Sequence, residues 1–171
     1  MAQKSNLIIP DADVIIYLHE LNIWSDFIQK YDVYIAHQVY VEAHQYKISD
    51  DTTHKLFSIN LDESISNDRI ISLDAKKIID IKILLKSYNH AIDEGEEETL
   101  AIALYDIPEL NVCLRDAAAI KAAVYVGLKS RCISIERAIA QIGLNKQLTK
   151  ASTDKRFHEI IKAAEIEKIQ H

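Results

Sequence analysis

The feature that most limits the fold of this chain is the alternation of short apolar runs with longer segments of helical periodicity. Asn6 to Pro10 (NLIIP), Asp32 to Ala36 (DVYIA), Arg69 to Leu73 (RIISL) and Leu110 to Arg115 (LNVCLR) have strand composition, and Lys129 to Ile133 offers a fifth strand. Between them, Val14, Ile15, Leu18 and Leu21 repeat at helical spacing, as do Ile78, Ile79, Ile81, Leu84 and Leu85. Trp24, Phe27 and Ile28 mark a short helix, and Val39, Val41 and Ala43 mark another. Connections of about ten residues or more are too long for hairpins, so successive strands must run parallel with helices crossing over them. The expected fold is α/β: a three-layer α/β/α sandwich, Rossmann-like, around a central parallel sheet of four to five strands.

Local signals sharpen this outline. Pro10 closes the first run where no ladder donor is needed, and Asp11 or Asp13 can cap the helix that follows. Residues 47–68 are polar and weakly periodic, which predicts loop with one helical piece. Asp74 can cap a long helix, Gly95 breaks the pattern after it, and Glu96 to Tyr105 forms a further helix stopped by Pro108. Asp116 opens an Ala-rich helix that ends near Gly127. Beyond Ser134 the pattern is helical only, a surface suited to a lid or to dimer formation. Residues 1–133 are therefore expected to form the core domain, and 134–171 a helical extension packed on it.

Composition excludes several classes. Three glycines and two prolines in 171 residues rule out collagen-like, linker-like and proline-rich chains. A net charge of −6 rules out a polycation that coats nucleic acid by charge alone. Six cations and four acids lie from Lys146 onward, so the preceding residues carry −8. Cys113 and Cys132 sit in apolar surroundings without metal or redox spacing and read as free thiols. No apolar run reaches the length of a membrane span, and the first is too short and acidic for a signal peptide, so a soluble cytoplasmic protein without membrane association is expected. No phosphate-binding glycine loop, dinucleotide fingerprint or nucleophile elbow is present.

What remains is a set of acids in a telling position. In open parallel sheets, ligands bind at the carboxyl ends of the strands. Asp11 follows the first strand and Asp116 the fourth, while Glu42 and the Glu96 to Glu98 cluster fall in early turns of helices that start on the same side. Carboxylates crowded together repel one another unless a cation neutralises them, and an all-oxygen donor set suits Mg²⁺ or Mn²⁺. Such an ion could activate water against a phosphodiester and admit a polyanion to an acidic crevice.

In their order and spacing, DADVIIYL from Asp11, YIAHQVYVEA around Glu42, GEEETLAIAL from Gly95 and LRDAAAIKAAVYVGL around Asp116 resemble the four acidic motifs of the PIN domain family. The resemblance spans roughly residues 6 to 133 and is nearest to VapC-like toxin ribonucleases of the Gly-Glu-x-Glu branch. It implies a metal-dependent endoribonuclease in which Asp11, Glu42, Glu96 and Asp116 hold one or two Mg²⁺ or Mn²⁺ ions. It also implies a cognate antitoxin and a homodimer. Glu98, and after it Glu97, competes with Glu96 for the third place, because successive helical residues diverge by about 100°. The chain departs from the pattern at Ala12 and Asp13, where the family has Ser or Thr and then Asn, so Asp13 adds a carboxylate. It departs again at Arg115, where close relatives carry another Asp.

Each acid also has an ordinary explanation. Asp11 and Asp116 can be helix caps, Glu42 a solvated helix residue, and Glu96 a first-turn acid that offsets the helix dipole by about 0.3 to 1 kcal/mol. His37 and His44 lack a third ligand at zinc spacing. Tyr17, Tyr40 and Tyr105 fall in apolar segments and fit core packing better than base stacking. Lys146, Lys150, Lys155 and Arg156 are the best phosphate contacts, with a solvated face as the alternative. Two other functions fit less well: a PIN-like nucleic-acid-binding or interaction module without turnover, and a receiver domain, which needs a middle-strand Asp and a Lys ending the last strand.

Overall fold

In a computed structural model, the structure describes residues 7–49 and 56–171. The first strand, β1 (Leu7–Pro10), is central and leads to helices α1 (Ala12–Glu20) and α2 (Trp24–Lys30). The chain returns as β2 (Asp32–Val33) and β3 (Ile35–Ala36), two parts of the predicted second strand interrupted at Tyr34. Tyr34 N–H still donates to the Ile8 carbonyl at 2.9 Å, so this segment stays beside β1 throughout. Helix α3 (His37–Gln45) follows directly.

Residues 47–68 are not simply loop. Their described residues hold an antiparallel pair, β4 (Lys47–Ser49) with β5 (Leu56–Ser58), and residues 50–55 of the expected loop lie outside the described residues. Three residues a side are too few for alternation to stand out in the sequence. A 3-10 turn at Asn67–Arg69 then leads into β6 (Ile70–Ile71), which pairs parallel with β3.

Next come α4 (Ala75–Ser87), capped by Asp74, and α5 (Glu94–Ala101). Gly95 does not separate these helices; it lies in the first turn of α5, where a glycine is tolerated because packing decides the site. Helix α5 widens into a π-turn at Ile102–Asp106. Tyr105 lies in this turn and is 44% exposed, against the expectation of a core tyrosine, whereas Tyr17 is buried. Then follow β7 (Asn111–Leu114), α6 (Ala117–Tyr125), β8 (Cys132–Ser134), α7 (Ile135–Gln141) and α8 (Asp154–Gln170). Three of the five residues predicted for the fifth strand form a 3-10 turn instead, Lys129–Arg131.

The main sheet has the order β2-β1-β7-β8 with every pairing parallel, and helices flank it in a three-layer α/β/α arrangement. Ile8, Ile9, Val112 and Cys113 have no exposed surface, as expected for parallel strands covered on both faces. Cys113 and Cys132 are both free, on adjoining strands. Helix α2 and its C-terminal cap send Trp24, Phe27 and Tyr31 into the same core, Trp24 stacked on Phe27 and Phe27 tilted against Tyr31.

The C-terminal helices share that core. Phe157, Ile160, Ile161 and Ala164 of α8 are buried, and Lys121 and Tyr125 of α6 both reach Glu167. No helix among the described residues is long and apolar enough to cross a membrane. The Tyr31 hydroxyl bridges from the end of α2 to α7, 3.0 Å from the Ala138 carbonyl and 2.9 Å from Gln141 Oε1. Tyr31→Phe is therefore expected to lower the unfolding free energy by about 1 kcal/mol in urea titration, within one cooperative transition. Two separable transitions would show that 134–171 is an independent unit.

Candidate functional site

The route of the chain creates a crevice. After β1 it moves to one side to form β2, and after α5 it returns to the other side as β7, so the connections diverge between β1 and β7. That divergence is where an open α/β sheet leaves room for a ligand. Asp11 lies one residue beyond β1, and Asp116 two residues beyond β7.

A cavity of about 340 Å³ opens there, and six carboxylates line it: Asp11, Asp13, Glu42, Asp93, Glu96 and Asp116. They come from the starts of α1, α5 and α6 and from the middle of α3. Ala12, Ile16 and Tyr46 complete the wall.

Backbone amides fix most of these acids. Asp11 is buried and caps α1, its Oδ1 accepting from Val14 N–H at 2.8 Å, while Arg115 N–H stands 3.5 Å from Oδ2. Asp116 caps α6, one oxygen accepting from both Ala118 and Ala119 N–H at 2.6 and 3.2 Å. Asp93 and Glu96 form a reciprocal capping box at the start of α5: Asp93 accepts from Glu96 N–H at 2.8 Å, and Glu96 accepts from Asp93 N–H at 3.2 Å. Capping and facing the cavity are thus compatible roles. Asp116 Oδ1 and Glu96 Oε1 have no protein hydrogen-bond partner among the described residues.

Glu42 is steered differently. Its carboxylate lies against the α-carbon of Gly95, so that a β-carbon there would fall 2.9 Å from Oε2 and 3.0 Å from Oε1. Gly95 thus provides the space through which α3 presents Glu42 to the cavity.

The three consecutive glutamates of α5 diverge as a helix requires. Glu96 faces the acidic cavity. Glu97 turns toward Lys82, 3.2 Å away. Glu98, an alternative for the third metal-binding position, lies elsewhere: it is buried and accepts from Gln38 N–H at 2.7 Å and Leu73 N–H at 3.1 Å, tying the start of α3 to the end of β6. It borders a separate cavity of about 370 Å³ beside Leu73 and Ile79. Asp13 reaches the main cavity from its exposed rim.

Asp93 was not singled out from the sequence, although Asp93-Glu94-Gly95-Glu96 has the acid-x-x-Glu spacing of a capping box and could have revealed it. His37 and His44 stack on either side of Tyr40, with ring centroids 6.3 and 5.8 Å apart, and serve as aromatic packing. Lys150 and Lys155 are exposed, Lys146 borders a cavity beside Leu144, and Arg156 pairs with Glu159.

The crowding has an electrostatic signature. Burial, reinforced by Asp13 and Asp116, pushes Asp11 up to about 7 although Val14 N–H opposes the rise. Burial, with Asp93, Asp11 and Asp116 adding repulsion, pushes Glu96 up to about 8. Burial and Asp93 also raise Glu42. Of the six carboxylates, only Asp13 has a basic side chain within 4.0 Å among the described residues, and it is Arg115.

The donor set is all carboxylate oxygen, which fits a hard divalent cation in chemistry and charge. Among the described residues, however, no group of three or more His, Cys, Asp or Glu side chains is gathered closely enough to hold a metal ion. The capping bonds fix several of the carboxylates near backbone amides. No protein-family model matches the chain, and no curated protein matches its sequence.

A carboxyl whose folded pKa exceeds its unfolded value binds its proton more tightly when folded, so it favours the native state at low pH and loses that contribution as pH rises through the folded value. In EDTA, thermal stability is expected to decline from pH 4.5 to about 8 as Glu96 ionises. Glu96→Gln keeps an acceptor for Asp93 N–H and should flatten the decline, melting several degrees above wild type near pH 8. Superimposable pH curves for the two proteins would contradict this account of the site.

Proposed function

We propose that the chain is a PIN-type metal-dependent endoribonuclease that hydrolyses RNA phosphodiester bonds, and that it acts in the cytoplasm as the toxin of a toxin–antitoxin pair. The observation that carries this reading is the arrival of Asp11, Glu42, Glu96 and Asp116, from four separate stretches of chain, at one cavity beside the carboxyl ends of β1 and β7. These residues, with Asp13 and Asp93 beside them, would hold Mg²⁺ or Mn²⁺. A bound ion would supply charge stabilisation on the phosphate and on the leaving oxygen.

The protein's own part is to hold the carboxylates in place. Val14, Ala118 and Ala119 amides fix Asp11 and Asp116, and the Asp93 amide fixes Glu96. Because Asp11 and Glu96 are driven toward protonation by burial and repulsion, they must release protons to bind a cation, and cleavage should therefore rise with pH through the range of about 7 to 8. The tested substrate class is RNA, with single-stranded DNA as the control that distinguishes the two.

RNA cleavage is expected with Mn²⁺, to disappear in EDTA, and to fall at least about a hundredfold in Asp11→Asn and in Asp116→Asn. Cleavage that survives the chelator and both substitutions would exclude the proposal. Expression should arrest growth, and a small protein encoded nearby should relieve the arrest. Gly95→Ala offers a finer test. Its added methyl group would displace the end of a flexible side chain only, so the melting temperature should hold within about 2 °C while cleavage drops about tenfold through loss of Glu42.

The absence of three gathered donors among the described residues, with Ala12 and Arg115 at positions where the resembled family has Ser or Thr and Asp, favours a second reading as a binding module without turnover. Calorimetric titration with Mn²⁺ separates them. Heat that depends on Asp11 supports the nuclease, and its absence supports the module.

A further inference from the structure

Arg115 is the basic residue that the described fold carries to the edge of the acidic cavity. Its backbone amide, 3.5 Å from Asp11 Oδ2, fixes where the side chain begins. The guanidinium is then held in several directions. Its carbon lies 4.5 Å from the centroid of the Tyr17 ring, and Nε donates to Ser152 Oγ at 2.9 Å. Tyr17 and Ser152 are themselves buried, at 5% and 2% exposure, so these supports do not drift with solvent.

Those contacts leave most of the group's binding capacity unused. A guanidinium carries five N–H donors, and among the described residues only Nε makes a hydrogen bond. Nη1 stands 4.0 Å from Asp13 Oδ2, beyond hydrogen-bonding distance, and Asp13 is half exposed, so this ion pair is weak. The remaining donors form a flat, oriented fork on a side chain that is 26% exposed, the geometry that matches two oxygens of a phosphate.

The segment behind it is anchored to the same place. The Tyr17 hydroxyl accepts from Thr149 N–H at 3.0 Å, and the Thr149 and Ser152 hydroxyls are 3.0 Å apart. The turn Lys150–Ser152 is thereby fastened against Arg115, and exposed Lys150 begins that turn. An acidic crevice repels a polyanion, so a strand drawn to it needs a positive hold at the rim.

We propose that Arg115 grips a backbone phosphate of the RNA strand adjacent to the one cut at the carboxylates, with Tyr17 and Ser152 holding the guanidinium ready. The proposal rests on the ribonuclease reading above. It makes the chain's departure from the four-motif pattern at this position a substrate contact.

The test measures binding of a fluorescein-labelled single-stranded RNA by anisotropy in Mn²⁺ over a KCl series, with cleavage followed in parallel, for the full chain and for Arg115→Met, Arg115→Lys and Ser152→Ala. Arg115→Met should weaken binding about tenfold on every sequence and reduce the slope of log affinity against log salt by about one. Arg115→Lys should keep the slope but recover only part of the affinity, because an ammonium cannot fork. Ser152→Ala keeps the charge and should keep the slope.

Arg115→Met binding with wild-type affinity and slope overturns the proposal. So does Arg115→Lys losing the slope as fully as Arg115→Met, which would make Arg115 a structural tie only. If wild type binds with the Arg115-dependent slope yet does not cleave, the nuclease reading fails while the phosphate contact stands. If wild type does not bind RNA at all, both fail.

Discussion

The parallel pairing of β1 with β7 is the constraint on which the site depends. Its register sets Ile9 against Val112 and Pro10 against Cys113, and the ladder extends one residue further through Asp11 N–H to the Cys113 carbonyl at 3.2 Å. Pro10 donates nothing, so the strand ends there and Asp11 turns immediately into α1. Asp11 and Arg115 are thus brought side by side although 104 residues separate them. A slip of one residue would exchange the side chains of β1 between two covered faces, and the close packing of Ile8 on one and Ile9 on the other excludes it. The precision of the acidic cavity is inherited from the packing of Ile8, Ile9, Val112 and Cys113.

That precision has an energetic consequence. Helix N-termini welcome negative charge, and Asp11, Glu96 and Asp116 all sit at such positions. The backbone amides partly offset the burial of these acids, but the rise of Asp11 and Glu96 shows that desolvation and mutual repulsion exceed that help. With Asp11, Glu42 and Glu96 held above their ordinary values, ionisation at these three positions makes the fold less stable than neutral isosteres there would. The destabilisation is a strain that a divalent cation would relieve, and it ties any affinity for such an ion to pH.

How much of this was legible in the sequence depended on the range of the interaction. The strands and most helices could be read because apolar periodicity reports burial directly, and Asp11 and Asp116 could be placed because strand ends follow from the same pattern. Which glutamate of α5 faces the cavity could not, since 100° steps separate Glu96, Glu97 and Glu98 and only the packing of α5 against its neighbours fixes the rotation. The role of Gly95 was hidden for a related reason: a glycine near a helix start reads as a breaker, and only the approach of Glu42 from another helix shows what it leaves room for. The β4 and β5 pair was too short to leave a period. Arg115 read as a missing acid, because its partners Tyr17 and Ser152 are far away in the chain.

Asp13 and Arg115, two places where the chain leaves the four-motif pattern it resembles, lie 4.0 Å apart across the cavity rim. Together they place an acid on the α1 side of the rim and a guanidinium on the β7 side. Asp13 raises Asp11 by its charge, whereas the lowering comes from the backbone N–H of residue 115 whatever its side chain. The two side chains are coupled through their own ion pair, and residues in contact do not act independently. Because Ser152 holds Arg115, the segment before α8 reaches the rim of the site through that guanidinium, while the C-terminal helices themselves pack into the core.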